Sequence, residues 1–349
     1  MPALPRPRPR PIGLALQGGG AHGAFTWGVL DGLLESGRFE VSAISGTSAG
    51  AMNAIALAHG WRLGGAEGAR EALARFWTAI GTRVPFDLLT AGEAARPGFN
   101  AAARGLMQWT RLLSPYQFNP LGTNPLRDVL REQIDFEALA RSSPIELYIA
   151  ATHANTGQLR LFATHELTLD AALASACLPT LHHAVVIEGE PYWDGGYSAN
   201  PALFPLARCG VRDLVMVSLA PLRHAHTPVS ADEIQARALE FTFNATFLRE
   251  VRMLRQFGRD QRVLLLAAAF TQHARHEARS VPGMDRRATA QVGQCERGLA
   301  VAAIGRAEQR KQRLVLADRE QLPRTDRPAA RREIESEHPD LAEVWRRHW

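Results

Sequence analysis

The sequence opens with one pattern repeated twice, in which a short apolar strand runs into a glycine-rich turn and then into a helix. The successive segments are 12–16, 17–23 and 24–36 in the first copy and 41–44, 45–50 and 51–59 in the second. Strands that alternate with helices through short turns predict βα units whose strands lie parallel in one sheet. The tandem arrangement therefore restricts the chain to an α/β fold in which helices cover a central sheet.

The chain is long enough to build a large core around such a sheet, since it has 349 residues, of which 46% are hydrophobic. Apolar patterns predict further strands at 146–152, 159–162, 185–187, 191–193, 214–219 and 263–269, and further helices at 169–177, 231–262 and 291–312. We expect a disordered Pro/Arg tail at 1–11, a main α/β domain at 12–220, a helical C-terminal extension packed on it at 221–320 and a charged tail at 321–349.

The chain is basic, and its positive charge comes almost entirely from arginine. The formal net charge is +5, and Lys311 is the only lysine. Arginine binds phosphates and carboxylates, which suits acidic lipid surfaces and nucleic acid alike. The arginines are spread along the sequence rather than gathered with interleaved aromatic residues, so we expect no nucleic-acid partner.

Cysteine usage and hydropathy indicate a reducing compartment. Cys177, Cys209 and Cys295 are too few and too scattered for a disulfide framework, and none forms a C-x-x-C pair for zinc. The N-terminal segment alternates proline with arginine and lacks the apolar stretch of a signal peptide. No apolar run approaches the ~18 residues that cross a bilayer. We predict a cytoplasmic location in which any membrane contact is peripheral.

The residues Gly46-Thr47-Ser48-Ala49-Gly50 form a G-x-S-x-G motif between a predicted strand and a predicted helix. This is the position of a nucleophile elbow, where the serine occupies a strained turn and its glycine neighbours avoid a clash. The following helix directs the positive end of its dipole at the charge that develops on attack. The pentapeptide alone is a weak indicator, but its strand–turn–helix context favours a catalytic Ser48.

The first turn carries a second glycine-rich motif, which permits two functional interpretations. Its residues are Gly18, Gly19, Gly20, Ala21, His22 and Gly23. Their backbone N–H groups could converge on the oxygen of a tetrahedral intermediate, or the turn could bind the pyrophosphate of a dinucleotide. A dinucleotide site needs an acidic residue at the end of the second strand, where this chain has the Ser48 turn. An oxyanion hole is therefore favoured over a nucleotide site and over a simple packing turn.

A third element, Asp194-Gly195-Gly196, follows the pair Tyr-Trp at a predicted strand end. A carboxylate there can accept the serine proton if it lies within about 2.6 to 3.2 Å of the hydroxyl, and the two glycines would let the loops approach closely. Asp-Gly-Gly by itself is an ordinary turn signal. Its occurrence with the other two motifs favours Asp194 as the base.

Together the three motifs resemble those of the bacterial patatin-like phospholipase family, in the same order. The small-residue block that precedes the family's aspartate is matched by Ala174-Ser175-Ala176-Cys177-Leu178-Pro179, and the resemblance covers about 12–219. It implies a three-layer α/β/α fold with a mainly parallel sheet. It also implies hydrolysis of acyl esters in phospholipids, lysophospholipids or neutral lipids, without a metal or another cofactor.

Transferred residue by residue, the resemblance makes Ser48 the nucleophile, Asp194 the proton acceptor and the glycines at 18–20 the oxyanion loop. His22 departs from the family, which often has arginine or lysine at this place. A neutral imidazole contributes less fixed positive charge near the oxyanion. The implied partner is a lipid or lysophospholipid substrate, and no oligomeric state is predicted.

A Ser-His-Asp triad is the competing mechanism. Histidines that follow Asp194, in the order of ordinary α/β-hydrolases, are His224, His226, His273 and His276. None lies on a clear strand-end loop that matches the elbow, and the elbow comes too early in the chain for that fold. The pair His182 and His183, which follows Pro179, is predicted to have a surface or capping role rather than to line the pocket mouth.

Two regions are candidates for membrane contact. Arginines recur at helical spacing opposite Phe247, Val251 and Leu254, and they are Arg249, Arg252, Arg255, Arg259 and Arg262. That face could dock on anionic headgroups or be a solvated charged face. The loop-rich segment 86–120, with the aromatic residues Phe99, Trp109, Tyr116 and Phe118, could be a lipid-facing cap over a pocket or a satellite core.

Overall fold

A computed structural model describes residues 9–83, 90–91, 98–99, 113–220, 224, 226–257, 262–268 and 314–316. Its strands are β1 (Arg10–Leu16), β2 (Phe39–Thr47), β3 (Thr90–Ala91), β4 (Gly98–Phe99), β5 (Glu146–His153), β6 (Leu159–Ala163), β7 (Val185–Ile187), β8 (Glu190–Asp194), β9 (Asp213–Ser218), β10 (Arg262–Ala268) and β11 (Leu314–Leu316). Its α-helices are α1 (Gly23–Ser36), α2 (Ala49–Arg83), α3 (Pro115–Phe118), α4 (Pro125–Gln133), α5 (Phe136–Ser142), α6 (Leu169–Ser175), α7 (Phe204–Arg208) and α8 (Ala231–Phe257). Short 3-10 turns lie at Gly20–His22, Thr164–Glu166 and Gly195–Tyr197.

The main sheet has the strand order β11-β10-β9-β1-β2-β5-β8-β7, with β6 also paired to β5. The strands from β10 to β5 in this order run parallel, whereas β6, β7, β8 and β11 pair antiparallel. The predicted mainly parallel α/β sheet is confirmed. The strand order reverses around β1, because β2 lies on one side of it and β9 on the other. In open α/β sheets this reversal places the loops after neighbouring strands beside a crevice.

Side chains of β1 alternate between two cores, one on each face of the sheet. Ile12, Leu14 and Leu16 belong to the larger core, which α1 and α2 cover. Ala15 points to a smaller core that contains Leu206 of α7 and Phe247 of α8. Each face of the central strand is thus buried against helices, which gives the three layers that the resemblance implies.

Some element boundaries differ from the predicted ones. The helix predicted at 51–59 begins at Ala49 and extends to Arg83, with non-helical backbone at Gly64 and Gly65. The helix predicted at 231–262 ends at Phe257, and a strand begins at Arg262. Arg262 therefore does not share the helical arginine face, because it belongs to the parallel strand beside β9.

Of the predicted arginine face, Arg249 and Arg252 are exposed on α8, and Phe247 on the opposite face is buried. The side chains of Leu254 and Arg255, as well as Arg259, lie outside the described residues. So do most of the tail 1–11, most of the segment 86–112, His273 and His276, the predicted helix 291–312 and the tail 321–349. The domain boundary at residue 220 stays a prediction. No helix in the described ranges has the length and apolar character to cross a membrane.

Candidate active site

Ser48 occupies the turn between β2 and α2 with a positive φ of 53°. A non-glycine residue adopts this backbone conformation at a cost and is held there by its surroundings. A Cβ atom on Gly46 would lie 2.7 Å from the carbonyl oxygen of Gly50, and one on Gly50 would lie 2.1 Å from that of Leu16. Both flanking glycines are therefore required by backbone atoms that have no room to move.

Two hydrogen bonds to other parts of the fold fix the same turn. The N–H of Ser48 donates to Oγ of Ser175 at 3.0 Å, at the end of α6. The hydroxyl of Thr47 donates to the carbonyl oxygen of Ala199 at 2.8 Å. Ser175 and Thr47 are fully buried, so water competes little for these two hydrogen bonds, and they hold Ser48 in place.

The glycine-rich turn after β1 lies directly against Ser48. A Cβ atom on Gly18 would meet the Cβ of Ser48 at 2.8 Å, so only glycine fits there. The N–H of Gly18 donates to Oδ1 of Asn200 at 2.7 Å. Over the described part of the chain, the N–H groups of Gly19 and Gly20 have no hydrogen-bond partner, and Gly20 has a positive φ of 57°. Both N–H groups are therefore available to a ligand oxygen.

His22, the departure from the family pattern, closes the same turn. Its Nδ1 lies 3.1 Å from the carbonyl oxygen of Gly19, and the next two residues begin α1. Ala21 and Gly23 complete the turn, and a Cβ atom on Gly23 would lie 2.7 Å from Ala49. The glycine-rich turn and the Ser48 turn are thus packed against each other at both ends.

Gln17 ties the base of the glycine-rich turn to the opposite layer of the fold. Its Oε1 accepts hydrogen bonds from the hydroxyl of Ser218 and from the N–H groups of Leu219 and Ala220. Its Nε2 donates to Oδ1 of Asn244 on α8 at 2.7 Å. All polar atoms of this buried amide are engaged, which fixes the point where the turn leaves β1.

Asp194 ends β8, and only 2% of its surface is exposed. Its N–H donates to the carbonyl oxygen of Cys177 at 2.7 Å, and its carbonyl oxygen accepts the hydroxyl of Thr152 at 2.8 Å. The carboxyl oxygen Oδ1 accepts the N–H of Gly196 at 2.7 Å. Burial raises the pKa of the carboxyl to about 6, against the hydrogen bonds from Gly196 and from the Ser48 hydroxyl, which lower it.

The two glycines after Asp194 are needed for close packing. A Cβ atom on Gly195 would lie 2.3 Å from the carbonyl oxygen of Ala150, and one on Gly196 would lie 2.5 Å from the ring of Phe243 on α8. Helix α8, part of the predicted C-terminal extension, therefore packs directly on the Asp194 turn.

Within the described residues, none of His182, His183, His224 and His226 has a hydrogen bond to Ser48 or Asp194. His224 bonds instead to Glu240 at 2.6 Å, and His183 bonds to the carbonyl oxygen of Pro115 at 3.2 Å. His226 is exposed. Within the described ranges, no group of three or more His, Cys, Asp and Glu side chains is arranged to hold a metal ion.

The three predicted motifs thus converge at the carboxyl ends of β1, β2 and β8. The model of the patatin-like phospholipase family matches residues 14–207, which is more than half of the chain. The chain belongs to the patatin-like phospholipase family. Membership supports a lipid acyl hydrolase activity and a lipid substrate, and all three motifs lie within the patatin-like region.

Solved structures similar to this patatin-like chain include VipD from Legionella pneumophila, which is 16% identical to it and has a TM-score of 0.37. The match covers 95% of this chain and 75% of the VipD chain. A chain of the ExoU–SpcU complex of Pseudomonas aeruginosa is 18% identical and has a TM-score of 0.26. That match covers 72% of this chain and 52% of the other, so the present chain spans about half of its length. No curated protein sequence matches this chain.

Several residues of the patatin-like site have no motif of their own in the sequence. They are Gln17, Thr152, Ser175, Asn200 and Asn244. Ser175 lies in the small-residue block, and Asn200 follows the Asp-Gly-Gly motif by a few residues, so their positions gave a weak signal. Thr152 and Asn244 gave none, because their partners are distant in the sequence.

Proposed function

We propose that this chain hydrolyses the acyl ester bonds of phospholipids or lysophospholipids with Ser48 as nucleophile and Asp194 as base. The observation that supports this best is the pairing of a strained serine with a buried carboxyl. Ser48 has a positive φ on a strand-to-helix turn. Its hydroxyl forms a hydrogen bond with the carboxyl group of Asp194, and this bond lowers the pKa of that carboxyl.

In the first half-reaction, Ser48 Oγ attacks the ester carbonyl and forms the C–O bond of a tetrahedral intermediate. The carboxylate of Asp194 accepts the hydroxyl proton and then gives it to the departing alcohol oxygen as the ester bond breaks. A water molecule then attacks the acyl-enzyme while Asp194 accepts its proton. Asp194 returns that proton to Ser48 Oγ as the acyl–Ser48 bond breaks and the fatty acid leaves. A base whose pKa is raised to about 6 is stronger than an ordinary aspartate and is still deprotonated at neutral pH.

We assign stabilisation of the oxyanion to the N–H groups of Gly19 and Gly20. The N–H of Gly18 is engaged by Asn200, so we give Gly18 the role of anchoring the loop against Ser48. Donors that are held in place before the reaction need no reorganisation when the negative charge develops. The loss of one such donor typically costs about 100- to 1000-fold in kcat.

The experiment is hydrolysis of a short-chain chromogenic ester and of a lysophospholipid by the purified full-length chain. The variants Ser48→Ala and Asp194→Asn should each lose activity by at least about 1000-fold, whereas a variant with His224 and His226 replaced by alanine should retain it. Activity that survives Ser48→Ala would refute the dyad. Activity that is lost with the histidines instead would establish a triad, and an inactive wild type that binds a dinucleotide would point to the alternative use of the glycine-rich turn.

A further inference from the structure

Two short segments beside the Asp194 turn expose a cluster of large apolar side chains. They are Leu113, Tyr116 and Leu121 on segment 113–122 and Leu181 and Val186 on segment 181–187, and we name them the apolar rim. Leu121 is 87% exposed and Tyr116 is 59% exposed. Large apolar side chains that are exposed on two segments in contact with each other make this surface a candidate for binding a partner.

Direct contacts join the two segments into one surface. The ring of Tyr116 stacks on that of His183 with 4.1 Å between centroids, and its hydroxyl accepts the N–H of Ala184 at 3.2 Å. His183 also reaches the carbonyl oxygen of Pro115. At the far end of the first segment, a Cβ atom on Gly122 would lie 3.6 Å from the imidazole of His183. The imidazole of His183 thus contacts one end of segment 115–122 and lies beside the other.

The apolar rim is also tied to the Asp194 turn. Cys177, whose carbonyl oxygen accepts the N–H of Asp194, donates its thiol hydrogen to the carbonyl oxygen of His183 at 3.0 Å. Strand β7 is antiparallel to β8, and its first residue, Val185, lies opposite Tyr192, two residues before Asp194. The residues at 181–184 therefore lie at the end of β8 that carries the proposed base.

The rim segments differ from the rest of the chain in charge. Residues 113–126 and 171–187 contain no Asp, Glu, Arg or Lys, although 21% of the whole sequence is charged. Burial and the neighbouring His183 lower the pKa of His182, so this imidazole adds no positive charge at neutral pH. These segments offer no charged side chain that could pair with a charged protein or with nucleic acid, whereas their exposed apolar side chains match the headgroup–acyl boundary of a lipid layer without net charge.

We propose that the apolar rim is a docking surface that inserts its exposed side chains into the surface of a phospholipid layer and holds the Ser48–Asp194 site against it. The partner is the lipid aggregate itself, which deepens the proposed function and rests on it. Long-chain substrates are present in water almost entirely as aggregates, so a site beside an inserted apolar surface receives them without drawing a whole acyl chain through water.

The test measures binding and hydrolysis separately. The full-length chain with Ser48→Ala is mixed with sucrose-loaded phosphatidylcholine vesicles, and the bound fraction is measured by sedimentation. Adding Leu121→Ser and Leu181→Ser should weaken binding roughly tenfold, because two partly inserted leucine side chains are lost. Leu63→Ser is the matched control, since Leu63 is 59% exposed but lies fifteen residues along α2 from Ser48, roughly 22 Å away. Its binding should equal that of the parent.

The proposal would be overturned if the parent did not bind phosphatidylcholine vesicles, or if the rim variant and Leu63→Ser lost binding equally. A change of oligomeric state in the rim variant, measured by sedimentation velocity, would also overturn it and would make the rim an interface between copies. Binding only when anionic lipid is added would also overturn it and would favour the arginines of α8. With Ser48 intact, the ratio of vesicle to monomeric-ester hydrolysis should fall roughly tenfold in the rim variant. If the monomeric ester is hydrolysed despite Ser48→Ala, the proposed dyad fails while the vesicle-binding result still stands.

Discussion

The two turns that carry the proposed dyad share close glycine packing but differ in the charge that they bury. Backbone atoms leave no room for a side chain at Gly46 and Gly50 beside Ser48, or at Gly195 beside Asp194. The Ser48 turn holds a neutral hydroxyl, whereas the Asp194 turn holds a carboxyl group whose charge is disfavoured by burial. Added volume should therefore disrupt the Ser48 turn, whereas the loss of its charge should relieve the Asp194 turn.

The largest expected effect comes from adding one carbon atom to the Ser48 turn. Gly50→Ala would place a Cβ 2.1 Å from the carbonyl oxygen of Leu16, and neither α2 nor β1 can shift without disturbing the core. We expect a loss of about 3 kcal/mol or more in the free energy of unfolding, with no measurable hydrolysis by any protein that folds. Urea denaturation and the short-chain ester assay measure the two quantities.

The matched control is Gly32→Ala in α1, where a Cβ atom would meet nothing within 4 Å. Alanine replaces glycine in a helix in both variants, but here it should stabilise the protein by about 0.5 to 1 kcal/mol. Similar stabilities for the two variants would contradict the view that steric contact fixes the Ser48 turn.

Removing the charge of Asp194 should stabilise the protein, in contrast to Gly50→Ala. In the folded protein the pKa of Asp194 is about 6, against an ordinary 3.8, so the folded state binds this proton more tightly than the unfolded state does. The resulting stabilisation is complete below pH 3.8 and is lost as the pH rises through 6. Asp194→Asn removes the penalty while its oxygen can still accept the N–H of Gly196. We expect the variant to be more stable than wild type by about 3 kcal/mol at pH 7 and by less than about 1 kcal/mol at pH 4.

Urea denaturation at both pH values tests this expectation, and the same variant should be inactive in the ester assay. A pH-independent difference, or a destabilised Asp194→Asn protein at pH 7, would mean that hydrogen bonding to the charged carboxylate outweighs its burial. The comparison between the two turns would then lose its physical basis.

Asn200 links the two turns, since it follows the Asp194 turn in sequence and accepts the N–H of Gly18 beside Ser48. Asn200→Ala would leave that N–H without its partner and release the glycine-rich loop. We expect kcat for the short-chain ester to fall roughly 10- to 100-fold with little change in KM. The loss reflects a donor loop that is no longer held in place before the reaction.

Asn124→Ala provides the control, because Asn124 also accepts one backbone N–H, from Leu126 at the start of α4. It should lose about 1 kcal/mol of stability and keep its kcat. If both variants lose stability and keep their kcat, Asn200 is a structural residue and does not position the proposed oxyanion loop.

The sequence predicted the elements whose signals are local. The strands at 146–152 and 185–187 and the helix at 169–177 agree with β5, β7 and α6 to within two residues, and the mainly parallel sheet is confirmed. The helix predicted at 51–59 was ended too early, because glycines at 60, 64 and 65 interrupt the pattern. The assignments of Ser48, Asp194 and the glycine-rich loop stay predictions.

What sequence could not predict is the network that orders the site. Thr152 and Asn244 have no recognisable local pattern, since each bonds to a group that only the folded chain brings near. Conversely, the glycine pattern of the proposed oxyanion motif gave no means of separating Gly18 from Gly19 and Gly20. That distinction depends on Asn200, which accepts the N–H of Gly18 and lies at the opposite end of the patatin-like region.

The smallest expected effect is on the pH dependence of the reaction, and it tests which group is the base. Only the deprotonated carboxylate of Asp194 can accept the proton of Ser48, so kcat/KM for the short-chain ester should fall as pH drops below about 6. At pH 5 it should be roughly tenfold below its plateau, with a slope of one on a logarithmic scale. Circular dichroism at each pH establishes that the protein remains folded. A midpoint near 4 would indicate a solvent-exposed carboxylate that lacks the influence of burial. A midpoint near 7 that disappears in a histidine variant would assign the base to an imidazole and leave Asp194 as its orienting partner.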